Sequence, residues 1–315
     1  MKDKTKWSDK EVLRARKRKK QKNRKKAVKI AIIGIFVSIM AVLFLLPIVL
    51  TITNSFMAKS EIAANYGAVF KTGTSSATTI VFKNVNLKFI PDMVSFEQYI
   101  TVLFKSPDYL MKFWNSVILV VPIVILQVLV SVWAAYGLSR VRKKWKEVVF
   151  FIYIILMLMP YQVTLVPNYL VSNKLGILDT NWAIWLPGIF SPFAVYMLTK
   201  YMRRIPTAIM EATQIDGCSE WQTFWRVAFP LSKGSMAAVA LLIFIDYWNM
   251  VEQPKILLAD ENLHPLSVFL SKISDGEIGL AFAVASIYMF LPLFVFLYGE
   301  EFLVEGITYQ GGVKG

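Results

Sequence analysis

The sequence predicts an all-α integral membrane protein with six transmembrane helices, and three observations carry that prediction. The 315 residues are 56% hydrophobic and only 18% charged, whereas soluble domains average roughly 45–50% and about 25%. Six stretches reach or approach the length of about 20 apolar residues that a helix needs to cross hydrocarbon. The basic charge is also concentrated at one end: Met1 to Lys29 hold 15 of the 35 Lys and Arg but only 3 of the 21 Asp and Glu.

The elements follow in order. Residues 1–29 form a basic segment, and Ile30 to Ile52 is an uncharged first span. That run is longer than the roughly 7–15 residues of a signal-peptide apolar region, so it reads as a retained helix. A loop at 53–112 combines Gly, Ser and Thr (Thr72 to Thr79) with Val81, Phe82, Val85, Leu87 and Phe89, partly alternating, which suits a small β-rich element or a polar loop. The second span runs from about Phe113 to Leu138, the third from about Val148 to Val171, and the fourth from about Trp182 to Leu198. The fifth, about Gly234 to Met250, contains Asp246, and the sixth, about Ile278 to Tyr298, is uncharged. Pro160 and Pro167 predict a kink or break in the third span beside a cavity.

Orientation follows from Lys and Arg in the loops. The connection Ser139 to Glu147 holds 5 of them and Thr199 to Lys233 another 5, while all loops on the opposite side share 9. Both termini are therefore expected in the cytoplasm of a cell whose plasma membrane the chain crosses (a bacterial-type one, as the resemblance given below implies), with 53–112 outside and a short, mildly acidic tail (Glu300, Glu301, Glu305) inside. The basic segment fixes this orientation, and anionic lipid headgroups are its other natural partner.

Composition also excludes classes. A lone Cys218 cannot form an internal disulfide, and a lone His264 cannot build a His-rich metal site. Cys218 reads as a small packing residue and His264 as a solvated loop residue. The chain has no GxxxxGK[ST] phosphate loop and no GxGxxG after an apolar strand, so any nucleotide that drives it is bound by another chain. A basic tract that runs directly into an apolar helix is a membrane flank rather than a nucleic-acid surface. A membrane enzyme would call for clustered carboxylates or histidines, and a self-sufficient carrier for internal repeats and intramembrane charge. Only Asp246 is charged within a span, and it has no repeat counterpart.

Pro206 to Leu231 reads PTAIMEATQIDGCSEWQTFWRVAFPL. Pro206 suits a helix start and Gly217 a left-handed helix end. A second helix begins near Ser219, presents Trp221, Phe224, Trp225 and Ala228 at spacings of three and four, and is expected to stop at Pro230. Such a helix–turn–helix knuckle suits docking into a groove on another protein, or resting as an amphipathic connector on headgroups.

These residues carry a resemblance. Glu211-Ala212-Thr213, then Gly217, then Val227, Phe229 and Pro230 resemble the EAA motif of permease subunits in binding-protein-dependent ABC importers. Pro160-Tyr161-Gln162, Val166-Pro167, Leu178-Asp179-Thr180, Leu186-Pro187, Trp248-Asn249 and Gly311 to Gly315 are similar to carbohydrate permeases of the maltose-transporter second-subunit type. The resemblance spans about Asn115 to Gly315. Thr213, Cys218 and Phe229 depart from the usual residues but keep size or apolarity, and the 53–112 loop is longer than the pattern requires.

The resemblance implies a type I importer permease fold (MetI-like), with a core domain at 113–303, an EAA loop at about 206–231 and a C-terminal tail at 304–315. It implies two ATP-binding subunits, a second permease subunit and an extracellular solute-binding protein as partners, a sugar as cargo, no enzymatic chemistry and no cofactor on this chain. Glu211, Ala212, Thr213, Asp216 and Gly217 would then form the coupling helix and its turn. Gln127, Tyr161, Gln162, Asp246, Trp248 and Asn249 are candidates for the translocation pathway, because polar groups inside a span turn away from lipid and such side chains suit sugar hydroxyls and ring faces. Helix-to-helix bonding and an interfacial aromatic belt are the competing uses for them.

Overall fold

The computed structural model describes residues 9–70, 87–141, 145–272 and 278–308. Its principal helices are α1 (Asp9–Asn54), α2 (Lys59–Phe70), α3 (Pro107–Arg140), α4 (Trp145–Leu158), α5 (Tyr161–Leu175), α6 (Trp182–Gly188), α7 (Pro192–Met202), α8 (Thr207–Ile215), α9 (Glu220–Leu231), α10 (Lys233–Trp248), α11 (Glu252–Leu257) and α12 (Ile278–Thr308). Four stretches are long and apolar enough to cross a membrane: Asn23–Asn54, Pro107–Arg140, Trp182–Met202 and Leu280–Leu303. Two bent pairs, α4 with α5 at 95° and α9 with α10 at 69°, bring the total to six if each pair is one span.

The first bend has a local cause. Pro160 has no N–H to give to a preceding carbonyl, and it drives the residue before it out of helical backbone. It sits extended (φ −64°, ψ 140°) as the cap of α5, while Pro167 is carried inside that helix. The second bend corrects an expectation, because Pro230 does not end its helix. A π-helical turn at Phe224–Ala228 loosens the ladder, and Pro230 then falls in the first turn of the segment that Phe229 opens, where no N–H is needed. The chain turns at Ser232 (φ −91°, ψ 0°) instead.

Two further boundaries differ from the sequence reading. The 53–112 connection carries the helix α2, and its described strand-like feature is a single antiparallel bridge between Met57 and Val94. Residues 72–79, 81, 82 and 85 lie outside the described residues, as do 311–315. The last helix continues past Tyr298 to Thr308, so the start of the expected 304–315 tail is helical.

The core is an aromatic stack built across long sequence separations. Trp248, 1% exposed, lies between Phe244 and Tyr288 with both ring centroids at 5.3 Å, and Phe113 meets its edge at 5.9 Å. Tyr288 donates its hydroxyl to the Trp248 carbonyl, tying α12 to the end of α10. Along the same pair of helices, the terminal methyl of Leu241 lies against the Gly299 backbone, where a Cβ would oblige it to turn aside. A second cluster joins α3, α7, α8, α9 and α10 through Val132, Ala135, Leu198, Met210, Phe224 and Ile243. In contrast, the apolar part of α1 has no buried residue from Ile30 to Ile52 and is mostly exposed, with Phe44 at 78%, which suits a surface that faces lipid.

One carboxylate helps to fasten the 53–112 connection, beside the Gln98 amide on the Met57 carbonyl and the Ser95 amide on the Phe56 carbonyl. Glu61 on α2 accepts from the amides of Asp92 (2.9 Å) and Met93 (3.3 Å) and pairs with Lys88 at 3.1 Å. The Asp92 amide acts most strongly to hold its carboxyl below the usual carboxylate range; burial, the next influence, pushes it up, and Lys88 with the Met93 amide tips the balance down. A carboxyl lowered in the folded state contributes stability above its unfolded value, and that contribution disappears as pH falls through the folded one. Glu61→Gln is therefore expected to speed hydrogen exchange at the Asp92 and Met93 amides at neutral pH. Acidifying the wild type through the carboxylate range should likewise lower the protection of these amides once the intrinsic slowing of exchange at low pH is divided out, and unaltered protection in the variant would count against this fastening.

Candidate functional site

The structure assembles two candidate sites from the residues singled out in the sequence. The first is the knuckle. α8 ends in a Schellman motif: the Cys218 amide donates to the Thr213 carbonyl (3.0 Å) and the Gly217 amide to the Gln214 carbonyl (3.1 Å). Gly217 holds the left-handed position at φ +76°, where a Cβ would be strained. One residue later α9 opens with a capping box, in which Gln222 N–H donates to Ser219 Oγ (3.2 Å) and Ser219 N–H to Gln222 Oε1 (2.9 Å). Two helix ends are thus closed back to back around Cys218, leaving the joint little freedom.

This knuckle rests lightly on the bundle. Met210 and Thr213 are the buried residues of α8, and Thr223 donates its hydroxyl to Thr213 Oγ1 at 3.1 Å. Glu211, Ala212, Asp216 and Gly217 face outward, and Ile215 is 86% exposed. Glu220 supplies the connection to the membrane helices. Its carboxylate accepts from Tyr136 Oη on α3 (2.7 Å) and from Gln214 Nε2 on α8 (3.3 Å), with Arg140 Nη2 at 3.9 Å. The Tyr136 ring also meets Phe224 edge-on at 5.1 Å. Sequence reasoning did not find Glu220 or Tyr136 because 84 residues separate them.

The second site is an open cavity of about 560 Å³ between the start of α5 and the end of α10. Tyr161, Gln162, Asp246 and Asn249 line it, as do Tyr247 and Glu252, which the sequence had not singled out. Gln162 Nε2 donates to Glu252 Oε2 at 3.0 Å, bridging α5 and α11 across the mouth. The other two candidates lie elsewhere. Trp248 points into the aromatic core, and Gln127 is buried on α3, its amide oxygen without a hydrogen-bond partner among the described residues. Asp246 and Trp248 lie two residues apart on one helix, so they take different faces.

The connection between α11 and α12 shows what Asp179 and His264 do. Asp179, at φ +60°, donates its amide to the Leu257 carbonyl (3.1 Å), and its carboxylate accepts from the amides of Ala259 and Asp260. Asn115 Nδ2 donates to the carbonyls of Asn262 (2.5 Å) and His264 (3.2 Å). His264, expected in solvent, is only 5% exposed, and its Nε2 lies 2.9 Å from the Leu258 carbonyl. A ring that closes its own loop has no need of water, and this correction removes His264 from the surface.

Helices that break at a lined cavity, together with a rigid projecting knuckle, define an integral membrane transport subunit. Comparison with known proteins agrees. Residues 127–300 match the family described as binding-protein-dependent transport system inner membrane component, and the chain belongs to that family. Arabinooligosaccharides transport system permease protein AraQ of Bacillus subtilis is 27% identical over 285 residues, covering 89% of this chain and 94% of that one. Probable ABC transporter permease protein YurM of the same organism is 34% identical over 211 residues, covering 64% and 69%. Among solved structures, a bacterial ABC transporter involved in the import of the acidic polysaccharide alginate superposes with a TM-score of 0.69 at 22% identity, covering 88% of this chain and 97% of that one. Its fold is shared. The relatives are permease subunits rather than enzymes.

The capping box gives a measurable expectation. Ser219→Ala removes the side-chain acceptor of the first turn of α9 and should cost about 1 kcal/mol locally. It should appear as faster hydrogen exchange at Gln222 and its neighbours, with the core around Trp248 unchanged. Equal exchange in the two proteins would contradict the assigned cap.

Proposed function

We propose that this chain is one permease half of a saccharide importer. It supplies part of the pathway through the cavity at Tyr161, Gln162, Asp246 and Asn249, and it couples to a separate ATP-binding subunit through the knuckle. The carrying observation is the knuckle itself: a helix held rigid by two interlocked caps, exposed on its far side, and joined to the long helix α3 through Glu220. A rigid projecting helix suits insertion into a partner's groove. In this reading Glu211 and Ala212 meet the ATP-binding subunit, Thr213 anchors α8 to the bundle, and Asp216 and Gly217 shape the turn. Closure of two such subunits would shift the knuckle as a body and α3 with it, so cargo and nucleotide bias one two-state equilibrium.

The remaining assignments follow from the same reading. Both termini and the knuckle lie in the cytoplasm, as the Lys and Arg distribution favours. A second permease subunit completes the cavity, two ATP-binding subunits sit beneath, and an extracellular binding protein delivers the cargo. A saccharide cargo is supported by the printed names of relatives, among them AraQ and the lactose transport system permease protein LacG of Rhizobium radiobacter. The residue types in the cavity support it as well, with tyrosine rings for sugar faces and amide and carboxylate groups for hydroxyls.

Co-purification tests the reading. The tagged wild type should bring down an ATP-binding subunit and a second permease and show binding-protein-stimulated ATP hydrolysis. The double variant Glu211→Ala, Gly217→Pro should keep the second permease and lose the ATP-binding subunit, since proline fixes φ near −65° where the turn needs +76°. A wild type that purifies and transports alone would refute the reading.

A further inference from the structure

Asp246 and Glu252 are the charged side chains among the described residues that line the cavity, and neither Lys nor Arg joins them there. Both are open to it rather than buried. Glu252 is held in place by the neutral amide of Gln162 at 3.0 Å, not by a cation. The polar part of the wall facing a passing molecule is thus tyrosine, amide and carboxylate, set beside the apolar Ile245, Met250 and Val251. An opening lined by one sign of charge with low-dielectric walls focuses its field and enriches counter-ions over co-ions.

We infer that Asp246 and Glu252 act as a charge filter that sets the substrate class, admitting neutral and amine-bearing saccharides and rejecting those that carry carboxylates, such as uronate oligomers. The inference rests on the reading of this chain as a saccharide permease half. Hydroxyl groups of a neutral sugar donate to the two carboxylates, and a protonated amine gains charge attraction as well. A uronate would bring a like charge past both residues with no cation in this wall to offset it. The amide of Gln162 is a positioning group, because it fixes where the Glu252 carboxylate stands at the mouth.

Thiol modification reads the filter without knowledge of the cargo. In the complete importer in lipid nanodiscs, with Cys218→Ser, a cysteine is placed on the wall by Val251→Cys. Its rates with the cationic trimethylammonioethyl and the anionic sulfonatoethyl methanethiosulfonate are compared with the rates of a free thiol in solution. The cation-to-anion ratio should exceed the solution ratio by about tenfold or more. It should return toward the solution value when Asp246→Asn and Glu252→Gln are combined. A wild-type ratio equal to that of the free thiol overturns the proposal, and so does a raised ratio that the two neutral substitutions leave unchanged. The partner subunits retained in the same preparation report separately on the permease reading: their absence defeats that reading, whatever ratio the thiol shows.

Discussion

Within hydrocarbon a peptide group has no water to bond, so each place where a transmembrane helix stops must face protein or a wet cavity. That constraint organises this molecule. The break at Met159 and Pro160 and the end of α10 at Asn249 lie at one cavity, where exposed polar side chains and free backbone are tolerated. The candidate pathway is thus located by where the helices fail to continue, as much as by which residues are polar.

The knuckle obeys a different rule. Its stiffness comes from local satisfaction of helix ends, since a Schellman motif and a capping box leave one residue between two closed caps. Its orientation comes from a distant contact, the Glu220 carboxylate shared by α3 and α8. Local bonds make the piece rigid, and a long-range bond aims it. A transmitted displacement needs both properties, because a stiff element without an anchor would pivot freely.

Features with a short-range cause were legible in the sequence. The six apolar stretches, the left-handed turn at Gly217 and the break at Pro160 each follow from composition or a single backbone preference. What escaped has a different origin. Glu220 and Glu252 acquire their roles from partners 84 and 90 residues away, and His264 is buried by a loop that Asn115 on α3 and Asp179 in the turn between α5 and α6 clamp together. Pro230 was misread because a π-helical turn before it absorbs the missing donor, and no residue pattern announces that turn. Of the alternation at 81–89, residues 81–86 lie outside the described residues, and the described part of that connection carries α2, a short helix at Glu97–Ile100 and a π-helical turn at Thr101–Lys105.

The Trp248 stack bears on how the protein is made. Its indole is covered by Phe113 from α3, well before it in the chain, and by Tyr288 from α12, 40 residues after it. A ribosome delivers α3 and α10 before α12, so the nascent protein passes through a stage in which one face of that ring and the carbonyl beneath it await their partner. Chains truncated before the last helix would retain that raw face in the bilayer, a distinguishing mark for quality-control proteases that inspect half-built membrane proteins.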